Sequence, residues 1–245
     1  MDATRRAAPM KSVSIMWAEG VTETEASTVV ATVRDLLKVI YDVAVRSGVA
    51  LGPTAIRPFG TWVIPSIKQG DPYWGTHWYI DTAYDRALGQ VVGRRFLELV
   101  KDEPWQRMRP HFDVAVLDRD LTDVPSKRTG TDFVLASALP GTGTVISVHR
   151  LREIADQELR LAALKRLVVH NFGHVLEVPA ADRTQAVEQS ADERHCTNLC
   201  VMRHAASINE LLDRLGEEQT SGILFCPDCR RDLLRSVLRQ RVNPN

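Results

Sequence analysis

The sequence predicts a mixed α/β fold: a twisted sheet packed on long helices, followed by a small C-terminal subdomain clamped by its cysteines. Three observations carry this. Short apolar or alternating runs recur between stretches of helical periodicity, the pattern of layered α/β folds. All four cysteines fall after residue 195, in two close pairs. The 44% hydrophobic content of this 245-residue chain is enough for a core without disulfide staples.

The elements follow in order. Ser12–Trp17 alternates and predicts a first strand. Thr24–Val45 carries Val29, Val30, Val33, Leu36, Leu37 and Ile40 at helical spacing. Thr61–Ile64 predicts a strand within a Gly- and Pro-rich stretch, and Asp81–Leu99 predicts a helix with an Asp cap. Phe112–Leu117 suits a buried strand. Asp132–Ala136 and Thr144–His149 predict two more, split by the turn signal Pro140–Gly143. Leu151–Leu176 predicts one long helix. Beyond it lies a loop-rich part with short helices near Ser207–Leu215 and Arg230–Arg239. The chain divides as one domain over 1–245, with an α/β part over 1–177 and the loop-rich part over 178–245.

Charge excludes some functions. The 31 basic and 31 acidic residues balance, so no global field draws the chain to nucleic acid or to an anionic membrane. No signal peptide and no run long enough to span a bilayer is present, and a cytoplasmic location is the expectation. There, four cysteines in paired spacings predict metal ligands rather than disulfides.

His170 and His174 are four apart on the long helix and share one face, where two imidazoles can grip one ion. His195 is the natural third ligand. Three histidines and one water make an open zinc site, in which the water's pKa falls to about 7. Cys196, Cys200, Cys226 and Cys229 suit a second, closed zinc of four thiolates. The residue after His170 is Asn171, where a zinc protease carries its glutamate base.

These residues resemble the archaemetzincins, a family of metzincin-type zinc peptidases. The order is His170 and His174, then His195 followed directly by Cys196, then Cys200, Met202 and the Cys226–Cys229 pair. Phe112–Asp123, Asp132-Phe133-Val134, Val148-His149-Arg150-Leu151 and Tyr84-Asp85-Arg86 with Gln90 are also similar to family segments. The resemblance implies a metzincin-like fold, a catalytic zinc on His170, His174 and His195, and a second zinc on the four cysteines. It implies that Met202 forms a hydrophobic floor under the histidines.

The chain departs from that pattern. Asn171 replaces the glutamate, and a carboxamide has no basicity near neutral pH. Glu177 stands where the family has a glycine. The third histidine comes eighteen residues after Glu177 instead of three, so Val178–Arg194 holds an insertion with Asp182, Glu188, Asp192 and Glu193. The gap from Cys196 to Cys200 is one residue shorter than usual. Glu177 shares the face of His170 and His174, so it either reaches the metal or points to solvent past the helix end. An acid of the insertion is an alternative base.

Two functional readings therefore stand. One is a zinc-dependent hydrolase acting on a peptide or small amide-bearing substrate through a non-standard base. The other is a non-peptidase zinc protein: a pseudoenzyme that binds a partner, or a Lewis-acid enzyme of small-molecule chemistry. Trp62, Tyr73, Trp74, Trp78 and Tyr79 favour packing over a recognition pocket. His77, His111, His149 and His204 favour structural roles. The arginines at 230, 231, 235, 239 and 241 favour a solvated face.

Overall fold

The computed structural model describes residues 8–123, 133–190 and 193–242. The first strand, β1 (Val13–Trp17), leads into α1 (Glu23–Arg46). A capping box starts this helix. The Thr22 hydroxyl accepts from the Glu25 N–H, and the Glu25 carboxylate accepts from the Thr22 N–H at 2.8 Å. Val29, Val33, Leu36 and Ile40 then form its buried stripe.

Glu25 also accepts two hydrogen bonds from the Arg152 guanidinium, at 3.0 and 2.7 Å. Burial alone would raise the Glu25 pKa, but Arg152 and Thr22 outweigh it and hold the carboxyl below its usual range. A carboxyl depressed on folding stabilises above its unfolded pKa, and that stability is lost as pH falls through the folded pKa. Glu25→Gln is therefore expected to cost about 2 kcal/mol at neutral pH. The gap from the parent should shrink below about pH 4. Thermal melts at pH 7 and pH 3 check both statements.

The second strand, β2 (Ile56–Gly60), runs parallel to β1 and ends at Gly60, whose φ of +68° turns the chain away. It lies upstream of the strand expected at Thr61–Ile64, where Val63 makes only an isolated bridge to Gly75. The single helix expected over Asp81–Leu99 is replaced by α2 (Thr76–Ala83), β3 (Tyr84–Asp85), β4 (Gln90–Val92) and α3 (Gly93–Asp102). The break has a chemical cause. Asp85 Oδ1 accepts from the N–H groups of Ala87 (2.9 Å) and Leu88 (3.3 Å), and Gly89 takes φ +69°, so the chain reverses.

Next come α4 (Pro104–Met108) and β5 (Phe112–Leu117). Every residue of β5 is buried, as in a strand covered on both faces. A short β6 (Leu121–Thr122) pairs with β4. Then β7 (Ala136–Leu139) and β8 (Gly143–Ser147) form a hairpin around the expected turn. The strand expected over Asp132–Ala136 thus runs later. Asp132 lies outside the described residues, and Val134 only bridges Leu121.

The helix expected from Leu151 is interrupted. A 3-10 turn covers Arg150–Glu153, and α5 (Gln157–Val175) starts afresh because the Asp156 carboxylate accepts from the Leu159 N–H at 2.8 Å. The C-terminal part is more regular than its composition suggests. It contains the hairpin β9 (Val187–Ser190) and β10 (Glu193–Cys196), then α6 (Ile208–Ser221) and α7 (Pro227–Val242).

The main sheet has the order β2-β1-β5-β8-β7, parallel except for β7 at one edge. On it pack α3 and α5, both against β7 and β8; α5 also meets α1 and α6, and α7 meets α1. This is the mixed α/β architecture that the sequence predicts. Tyr73, Trp78, Tyr79 and Trp62 pack on one another and on Trp105, while Trp74 stacks on His77. Among the described residues no helix is long and apolar enough to cross a membrane.

Candidate metal centres

Helical spacing puts His170 and His174 on one face of α5, and β10 brings His195 to meet them. The Nε2 atoms of His170 and His174 are 3.1 Å apart, and one nitrogen from each of the three rings lies within 4.8 Å of the others. Ligand atoms about 2.0–2.1 Å from a tetrahedral zinc stand about 3.3 Å from one another, so one ion fits this set.

All three rings are buried. Burial first, and neighbouring imidazoles next, depress their pKa values: His170 well below the usual range, His174 to about 3 and His195 to about 4. Neutral rings keep the lone pair that a metal needs. His170 Nδ1–H donates to the Val201 carbonyl at 2.7 Å, which fixes the tautomer and leaves Nε2 as the ligand atom. His195 Nδ1 is buried without a hydrogen-bond partner.

The loop that follows β10 is tied to α5 in two ways. A Cβ built on Gly173 would lie 2.4 Å from Met202 Sδ, so only a bare backbone there lets Met202 lie against the helix between the two histidines. Arg166, one turn before His170, grips Glu218 of α6 at 3.0 and 2.9 Å and donates to the Arg203 carbonyl at 3.1 Å. Arg166 escaped the sequence analysis; its signal was a lone arginine at helical spacing from His170.

The second centre gathers all four cysteines as buried, free thiols. Cys196 and Cys226 have their sulfurs 3.7 Å apart, and Cys200 and Cys229 3.8 Å. Four thiolates at roughly 2.3 Å from one zinc are about 3.8 Å apart. Arg183, from the insertion, donates to Cys196 Sγ at 2.9 Å, to Cys229 Sγ at 3.3 Å and to Asp232 at 3.1 Å. Hydrogen bonds from Cys200 and Cys229, with Arg183, hold the Cys196 thiol far below its usual pKa. A zinc held by four thiolates would carry two excess negative charges, and this buried guanidinium would offset part of them. Arg183→Leu should weaken zinc retention about 10- to 100-fold, read as competition with a chromogenic chelator. Retention equal to the parent's would reject that role.

The remaining candidates separate clearly. Asn171 is buried, and its Nδ2 donates to the Leu167 carbonyl at 2.9 Å. Glu177 takes φ +57° just past α5, and its exposed carboxylate pairs with Arg239 at 2.7 Å. Of the two placements open to it, it takes the one that points to solvent past the helix end. Asp182 is exposed and pairs with Arg235, and Glu188 is exposed. Asp192 lies outside the described residues. Glu193 is different: its Oε2 lies 3.8 Å from His174 Nε2 and 3.7 Å from His195 Nε2. The His204 ring is 4.6 Å from that of His195, and its Nε2 meets Ser190 Oγ at 3.2 Å.

No family model matches the chain. It is 25% identical over 147 residues to an archaemetzincin of Nanoarchaeum equitans, covering 60% of this chain and 65% of that one. It is 34% identical over 101 residues to an archaemetzincin of Archaeoglobus fulgidus, covering 41% and 49%. It is 28% identical over 163 residues to an archaemetzincin of Natronomonas pharaonis, covering 63% and 77%. The first two relatives are thus spanned over less than two thirds of their length. The chain is similar in sequence to three archaemetzincins, and the expected histidines and cysteines are drawn into two compact sets.

Proposed function

We propose that the chain is a zinc-dependent hydrolase acting on a peptide or a small amide-bearing substrate, with Glu193 as the base that Asn171 cannot be. The observation that carries this is the Glu193 carboxylate, 3.7–3.8 Å from two of the three imidazoles. His170, His174 and His195 would hold the metal. Zinc supplies a Lewis acid that polarises a carbonyl and acidifies a water.

The chain's own residues do the rest. Residues two apart on a strand face the same way, so β10 directs Glu193 and His195 to one side. The insertion thereby returns a carboxylate to the site from the strand after the helix. That carboxylate takes the proton as the nucleophile forms and gives it to the departing amine. Asn171, whose Nδ2 donates to the Leu167 carbonyl, has no basicity with which to take that proton. Four reduced thiols favour a reducing, cytoplasmic setting.

A second reading draws on the same distances. They approach the spacing between two ligands of one ion, so Glu193 can instead close the site as a fourth ligand. The protein would then be a non-peptidase zinc protein. A peptide library assayed with the parent, Glu193→Gln and Asn171→Glu separates the two. Parent turnover that Glu193→Gln abolishes, with zinc retained, supports the hydrolase. Activity only in Asn171→Glu marks a disabled protease frame. No activity in any form, with zinc lost from Glu193→Gln, supports the closed site.

A further inference from the structure

We propose a third metal site, for a first-row divalent cation, built from Glu103, His111 and Asp113 in the contact between the end of α3, α4 and the start of β5. His111 was expected to be a structural strand-end residue. The structure sets its ring between two carboxylates, with Nε2 at 3.2 Å from Glu103 Oε1 and 3.3 Å from Asp113 Oδ2. One ligand atom from each of the three residues lies within 4.8 Å of the others. Their exposures are 0%, 7% and 2% for Glu103, His111 and Asp113, far below what unpaired carboxylates tolerate.

Each group is held from behind, as metal ligands are. His111 Nδ1–H donates to the Arg109 carbonyl at 2.8 Å, so Nε2 is the ring atom that faces the carboxylates. Tyr79 Oη–H donates to Glu103 Oε2 at 2.8 Å, and Gln106 Nε2 donates to Asp113 Oδ2 at 2.7 Å. The aromatic cluster of Tyr73, Trp78 and Phe96 packs around Tyr79.

Two carboxylates and a neutral imidazole sum to two negative charges in this buried space. One divalent cation neutralises them, and so do two protons, one on His111 and one on Glu103. With protons alone, burial would lower the His111 pKa, but Asp113 and Glu103 would raise it to about 10. Glu103 Oε1 is buried, and the polar group that faces it is His111 Nε2 at 3.2 Å; an imidazolium there would donate to Oε1, whereas a neutral ring leaves it unsatisfied until a cation joins the two. A cation satisfies Oε1, Nε2 and Oδ2 together. One imidazole with two carboxylates suits zinc, manganese or iron rather than calcium.

The site has a mechanical consequence. Phe112, between His111 and Asp113, packs edge-on against Phe172 of α5 with ring centroids 5.6 Å apart. A cation there would anchor the start of β5 beside the helix that carries His170 and His174. The proposal does not rest on the hydrolase reading.

The test uses the full chain, stripped by chelator and reloaded with zinc or cobalt. The parent should bind three ions, and His111→Ala and Glu103→Gln two each, with the thiolate-to-cobalt absorption unchanged. A parent count of two, or a count of three that neither variant lowers, overturns the proposal. Nitrogen-15 spectra of the His111 ring in the loaded parent decide without mutation. Nε2 without a proton and shifted by the metal is the expected result, and an imidazolium with both nitrogens protonated overturns it.

Discussion

Replacing Cys229 by serine should strip one zinc from the chain and loosen everything after β10. Cys229 is fully buried near the start of α7, with its sulfur 3.8 Å from that of Cys200. Four thiolates from two separate segments form no site in the unfolded chain, so their metal affinity becomes folding free energy. Structural zincs of this kind contribute about 10–16 kcal/mol at neutral pH in small domains. Serine removes one thiolate and leaves the Arg183 guanidinium facing a weaker charge. A loss of about 5 kcal/mol is a conservative expectation for the larger frame. In a chain of this size that lowers the melting temperature by roughly 10–20 °C. Zinc analysis should read one ion fewer per chain than the parent, and cobalt-loaded protein should lose its thiolate charge-transfer bands. An unchanged count with an unchanged melt would refute the four-thiol site.

The second large effect belongs to Glu193. Glutamine keeps the shape of the side chain but exchanges one acceptor oxygen for an NH2 donor and removes the charge and the basicity. If Glu193 is the base, kcat should fall by about 10²- to 10⁴-fold with KM little changed. Zinc content should stay at the parent level, which separates a lost base from a lost ligand. Glu177→Gln is the matched control. That carboxylate is exposed and paired with Arg239, so its loss should leave turnover within about twofold. Equal activity in the parent and in Glu193→Gln would remove the residue from the mechanism.

Much of the site was readable because its chemistry is local in the chain. His170 and His174 needed only helical spacing, and the cysteine pairs needed only proximity and an even count. The order His195-Cys196 then linked the two sets. The failures also have local causes. Periodicity ran straight through residues 151–156, because a capping aspartate looks like any acidic residue until its N–H partner is placed. The hairpin at Asp85–Gly89 was hidden in the same way inside a helical pattern. Glu193 stood in a segment read as loop. Had β10 been recognised, the strand alternation from Glu193 to His195 would have singled it out from Asp182 and Glu188. Glu103, His111 and Asp113 carry no spacing motif; helix packing on a strand start joins them. Arg166 and Arg183 face partners 52 and 13–49 residues away, beyond any sequence window.

Positions 195 and 196 lie next to each other, so a single peptide unit hands one side chain to each metal set. The Cys196 N–H is itself anchored to the Met202 carbonyl at 2.9 Å. Whatever orders Cys196 therefore pre-positions its neighbour, and by linkage the help runs equally in both directions. An oxidant that attacked only sulfur would silence the imidazole centre as well, without touching a histidine.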